Sequence, residues 1–296
     1  MIINPLRLFI ALVAVSLLSE VSFAAAAQTP SIPAGELVRR TVKNETASSN
    51  GLDNYFFRDE VRKPHGSQTK LMVQTSEGMA GLIVQINGQP LTPEQQKDER
   101  ARVERFINNP DELKKKQKQE KEDEDRTTRI VRALPDAFLY EYDGTTMGNP
   151  ELGKAGHELI RVKFKPNPNY SPPSRVEQVL TGMGGHLLID SSEYRIAEID
   201  GTLIQEVSFG WGIFGHLDKD GRFLVRQADV DKGHWEVTHM ELSFSGKILL
   251  FKSFSIKSEE TVSNFNHVSP DLTFAQGVQL LEERASQLNA PQQARK

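Results

Sequence analysis

The sequence predicts a mainly β protein of the α+β class. It reads as about eleven antiparallel strands in one strongly curved sheet forming a half-open barrel, with an N-terminal helix, a charged helical insertion and a short C-terminal helix. Three observations carry that expectation. From Tyr55 onward, apolar and polar residues alternate with period two through most of the chain. The returns between strand segments are short and hold turn pairs such as Asn87-Gly88, Asp200-Gly201 and Asp220-Gly221, which suits antiparallel neighbours rather than crossover helices. A sheet this large also presents more apolar face than two short helical stripes can cover, and open sheets of that size curl.

The N-terminus comes before the fold proper. Arg7 precedes an apolar run at 8–18, Glu20 closes it, and small residues occupy 24–27. That order is a secretory signal peptide, read here as 1–27, and the run falls short of the roughly 20 residues a membrane-spanning helix needs. The expected location is therefore periplasmic or secreted. No cysteine occurs among the 296 residues, which excludes disulfides, thiolate metal sites, a cysteine nucleophile and a lipid-modified cysteine. Net charge is −4, with Lys and Arg interleaved among acids, so no nucleic-acid partner is expected.

One domain, 28–289, follows the signal. Its first element is a helix over 34–47, with Leu37, Val38 and Val42 as its apolar stripe and Asn50-Gly51 as its stop. Next, Tyr55, Phe57 and Val61 alternate with Phe56, Arg58, Glu60 and Arg62, and further strands read at 70–75 and 82–86. Thr92-Pro93-Glu94-Gln95 and Asn109-Pro110-Asp111-Glu112 announce two helix starts within an insertion at 92–133. The run "KKKQKQEKEDEDR" has no apolar side chain, so it cannot bury a face; it is expected to project into solvent, held by charge pairs, or to offer a partner a docking surface. From Phe138 the chain is nearly continuous strand, broken by a proline-rich loop with a helical turn at 174–180. A helix at 274–288 and a disordered tail, 290–296, complete the order.

No chemistry-bearing constellation anchors an enzyme reading. The seven histidines are scattered, "DKDG" at 218–221 lacks the spacing and closing Glu of a calcium loop and reads as a hairpin turn, and "GMGG" at 182–185 reads as a turn entering a strand. No cofactor and no metal site are expected, and the chain reads as a monomer. The one-sided strands point instead to an apolar cavity of the kind that holds lipids.

The order of elements, together with "HWEVTHMELSFSG" and "FKSFSIKSEETVSNFNHVS", resembles the lipoprotein carrier superfamily, the outer-membrane lipoprotein-sorting proteins. That resemblance implies a half-open β-barrel closed by helices, with acyl chains carried in its cavity. "INGQPLTPEQQ", "VSFGWGIFGHL" and "ILLFKSFS" also look like a group of secreted bacterial proteins of unassigned function with this architecture. In "SFGWGIFGHL" a regular strand would put Phe209, Trp211 and Ile213 on one face, while Gly210 and Gly212 leave the other bare. The populated face either lines the cavity, with Val207, Phe164 and Trp235 as further lining candidates, or packs as ordinary core. A lipid or acyl chain is the expected ligand, and an envelope protein meeting the charged insertion is the alternative partner.

Overall fold

The computed structural model describes residues 32–48, 54–210, 214–248 and 252–289. The expected signal peptide and tail lie outside these residues, as do Trp211 and Ile213. Helix α1 (Ala34–Ser48) leads into β1 (Asn54–Lys63), β2 (Gly66–Thr75), β3 (Gly78–Ile86) and the two-residue β4 (Gln89–Pro90). Helices α2 (Pro93–Asn108) and α3 (Pro110–Ala137) follow, then β5 (Phe138–Met147), β6 (Glu158–Pro166), a short α4 (Arg175–Gln178), β7 (Met183–Asp190) and β8 (Arg195–Leu203). The chain ends with β9 (Val207–Phe209), β10 (Gly215–Leu217), β11 (Arg222–Asp231), β12 (His234–Ile248), β13 (Lys252–Val268) and helix α5 (Phe274–Asn289).

All these strands belong to one unclosed, antiparallel sheet in the order β4-β3-β2-β1-β13-β12-β11-β8-β7-β6-β5, with β9 and β10 added beside β12. Local hairpins account for most neighbours. The longest-range strand pairing among the described residues, β1 with β13, joins the N-terminal hairpins to the C-terminal half.

Helices cover the two ends of the sheet on opposite faces. Leu37, Val38 and Val42 of α1, with Leu134 and Ala137 of α3, are buried against Phe138, Val162, Phe164, Leu187 and Leu203 in the larger core. Leu187 belongs to that core, whereas its neighbour Leu188 belongs to a small cluster on the other face with Leu159, Ala197 and Trp235. The third core sits at the β1–β3 end, where Phe274, Val278 and Leu281 of α5 and Val103 of α2 pack on Leu71, Val73, Ala80 and Leu82. Burying each of these aliphatic side chains is worth about 1.5–3 kcal/mol, so packing rather than intrinsic propensity holds the weakly amphipathic helices in place. A buried-edge ion pair pins α1 further: Glu45 accepts from the Ile196 N–H at 2.6 Å and from Arg195 Nε at 3.1 Å. Burial pushes the Glu45 carboxyl up despite Arg195, so this contact is positional as much as electrostatic.

The insertion does not project. Both helix starts form as the sequence implies: Thr92 and Gln95 make a reciprocal capping box, and the Asn109 side chain accepts from Asp111 and Glu112 N–H groups. The two helices then run from one sheet edge to the other. Among the described residues strand β3 lacks a full-length outer neighbour, and its outward backbone groups meet helix side chains instead. Ile83 N–H donates to Glu99 at 2.7 Å, Arg102 donates to Gly81 C=O at 2.7 Å, Met79 N–H donates to Glu120 at 3.3 Å, and Lys116 donates to Met79 C=O. Helix α3, about 42 Å long at 1.5 Å per residue, carries the chain on until Leu134 and Ala137 reach the larger core beside β5. Residues 121–127 between those anchorages are exposed, with spaced pairs such as Lys121–Asp125 and Arg126–Asp123.

Glu99 is buried and bonded to both Ile83 and Arg102, so its removal orphans the Ile83 N–H and takes away the carboxylate partner of Arg102. In urea titrations Glu99→Ala should lower stability by about 2–3 kcal/mol. Lys118→Ala, at an exposed position of α3 paired only with Glu122 among the described residues, should change it by less than about 0.5 kcal/mol. Equal effects would contradict the edge-capping role.

Candidate functional site

Among the described residues, the three packed cores leave the middle of the sheet uncovered. Across β1, β13, β12 and β11, the register places Val61, Glu260, Met240 and Val225 in one lateral row, with Leu242, Ser258 and Phe223 in the next. Phe244 and Ile256 extend the same face, which continues into the face that carries α1, since Val225 lies opposite Ile199 and Phe223 packs on the larger core. Apart from the buried Leu224, the other face of these strands is polar, with Thr261, Glu259, Lys257, His239, Glu241, Ser243, Arg222 and Arg226. The centre is thus two-sided in composition, yet its apolar side is only half-buried, and Ile256 is 51% exposed. It forms an apolar stripe open to solvent, bounded on one side by α1 and the end of α3.

A polar group interrupts that stripe. Asp59 on β1 pairs directly with Lys70 on β2 and Val262 on β13, so its side chain shares the apolar face with Phe57 and Val61. Glu260, one residue pair away on β13, faces the same way. Asp59 is 6% exposed; Lys70 Nζ lies 3.6 Å from Oδ2, while Oδ1 is buried with no hydrogen-bond partner among the described residues. Burial pushes the Asp59 carboxyl up, with Lys70 opposing. Glu260 is raised by burial first and by Asp59 second, again opposed by Lys70.

The residues singled out from sequence divide into three groups. Val207 and Phe164 are buried in the larger core, and Phe209 is half-buried against it. Trp235 lies with Leu188 in the cluster on the other face; its indole donates to Glu193 at 2.9 Å, and Arg195 sits over its ring. It does not share a site with Phe164, Val207 and Phe209. Trp211 and Ile213 lie outside the described residues. The regular strand expected through Phe209 and Ile213 stops at Phe209, because Gly210 has a left-handed φ of 55°. β9 then pairs back on β10, and a Cβ on Gly210 would strike the Phe214 ring. The expected hairpin turn at 218–221 is also different: β10 and β11 both run along β12, so the segment is a loop within one strand line.

Asp59, Lys70 and Glu260 were not among those candidates. A signal exists, in that Asp59 falls in phase with Phe57 and Val61, and Glu260 with Val262.

No family model matches the chain, and no curated protein matches it. Two solved structures do. One is a domain described as an outer membrane lipoprotein-sorting protein from Vibrio parahaemolyticus, 10% identical, covering 84% of this chain and 99% of its own, with a TM-score of 0.32. The other is a DUF1329 family protein from Desulfovibrio piger, 11% identical, covering 79% and 93%, with a TM-score of 0.29. The first carries the description that the sequence resemblance names. Both likenesses are distant.

Because the folded state raises the Asp59 carboxyl, the folded protein favours its protonated form, and ionisation at neutral pH costs stability. Asp59→Asn should therefore raise the melting temperature by about 2–4 °C at neutral pH. The gain should shrink as the pH falls toward about 4, where the native carboxyl is protonated too. Calorimetry across that range checks the sign, and a variant less stable at neutral pH would refute it.

Proposed function

We propose that this is a non-enzymatic envelope protein, periplasmic or secreted, that holds a lipid or lipoprotein acyl chain against the open apolar stripe. One observation supports the reading above the rest. Val61, Val225, Met240, Leu242, Ile256 and Val262 share one face of the central strands and belong to none of the three packed cores. Contiguous apolar area left half-exposed beside a finished core is unusual for a protein without an apolar ligand or partner. The stripe is long and one-sided, which fits an extended chain better than a compact solute. Among the described residues no helix is long and apolar enough to cross a membrane.

In this reading Phe164 and Val207 support the stripe from the packed core rather than line it, and Phe209 stands at its border. The charged insertion is a strap between sheet edges first; a partner docking on 121–127 remains compatible with it.

Displacement of the neutral apolar probe N-phenyl-1-naphthylamine tests the proposal. Met240→Glu and Leu242→Glu should each weaken probe binding at least about tenfold, because a carboxylate on an apolar contact surface must be desolvated. Ser243→Glu, on the polar face, should leave it unchanged. Probe binding that is absent, or equally sensitive to Ser243→Glu, would refute the assignment, as would repeated lipid-free native mass spectra of gently purified protein.

A further inference from the structure

The stripe carries a feature that a purely apolar ligand would not need. Asp59 and Glu260 place two carboxylates on its floor with a single lysine, Lys70, beside them. Desolvating an acid in an apolar surface is costly unless each oxygen finds a donor. Lys70 stands on the Oδ2 side of Asp59, and Oδ1 is left buried with no hydrogen-bond partner among the described residues. A plain structural ion pair would need one carboxylate, not two. With both ionised, the trio has one negative charge in excess, so a single cation would neutralise it.

We propose that Asp59 and Glu260 form a headgroup subsite that takes the primary ammonium of an amine-bearing amphiphile whose chain lies along the stripe. The inference rests on the acyl-chain reading and specifies its ligand. An ammonium brings three donors. One satisfies Asp59 Oδ1, another reaches Glu260, and the charge balances the trio, giving short, charge-assisted bonds in a setting of low dielectric. Val61 and Phe57 flank the subsite along β1, Met72 along β2 and Val262 along β13, so a chain leaving the head meets apolar side chains at once. Toward β12 the path continues over Met240 and Leu242. A fatty acid or a bare phosphate monoester would bring negative charge against the two carboxylates and should be rejected.

The test compares three ten-carbon amphiphiles below their micellar concentrations, decylamine, decanol and decanoate, each displacing N-phenyl-1-naphthylamine from the full chain. Wild type should bind decylamine about tenfold more tightly than decanol, the effect of one or two charge-assisted bonds, and decanoate least. In Asp59→Asn/Glu260→Gln the amine advantage should fall to within about twofold while decanol affinity is retained, which also shows that the variant is folded. Equal binding of amine and alcohol by wild type, or an amine preference that survives in the variant, overturns the subsite and leaves the acyl-chain reading standing. Failure of all three amphiphiles to displace the probe overturns both.

Discussion

An unclosed sheet has two edges, and the outer side of β3 is the one on which the rest of this architecture depends. Its backbone groups at Met79, Gly81 and Ile83 would otherwise stand open, inviting another strand. Four side chains from two helices answer them: Glu99, Arg102, Lys116 and Glu120. Charged residues suit the task better than apolar ones, since a backbone N–H needs an acceptor and a C=O needs a donor. The same helices must also carry the chain to β5 at the far edge, and α3 has the length to do it. A segment that looks featureless by hydropathy is therefore the part that lets the sheet stay open without becoming sticky.

Staying open has a consequence for the middle of the sheet. With α1 and the end of α3 committed to β5–β8 on one face, and α5 committed to β1–β3 on the other, no helix among the described residues is left for the central strands. Apart from the buried Leu224, their other face is polar and needs no cover. Their apolar face keeps Val225, Met240, Leu242 and Val262 half-exposed, and β1 adds Asp59 to it. Apolar surface and a raised acid on one floor make chemical sense together when the occupant has both a chain and a cationic head. Neither makes sense as ordinary core.

Much of the fold was legible because local patterning is local physics. The period-two alternation marked the strands, Leu37, Val38 and Val42 marked α1, and Thr92 with Gln95 marked the start of α2. Ser174 likewise caps the short α4 inside the expected turn region. What could not be read was register across the chain. The pairing of β1 with β13 joins residues some two hundred positions apart, and only that pairing sets Asp59 beside Val262 and Glu260. Phe209 shows the opposite limit. Alternation continued through "SFGWGIFG", but the left-handed turn at Gly210 ended the strand, a backbone choice that side-chain periodicity does not report. Trp235 looked like a lining residue on hydrophobicity alone, yet the alternation of faces put it with Leu188 rather than with Leu187.

The most direct measurement is methyl NMR of the protein with a spin-labelled lysophosphatidylcholine, whose nitroxide broadens nearby signals. If the open stripe holds the acyl chain, Val225, Met240, Leu242 and Val262 broaden selectively, while Val73, Val278 and Leu281 under α5 stay sharp. Uniform broadening, no broadening, or broadening confined to the α5 side would contradict it.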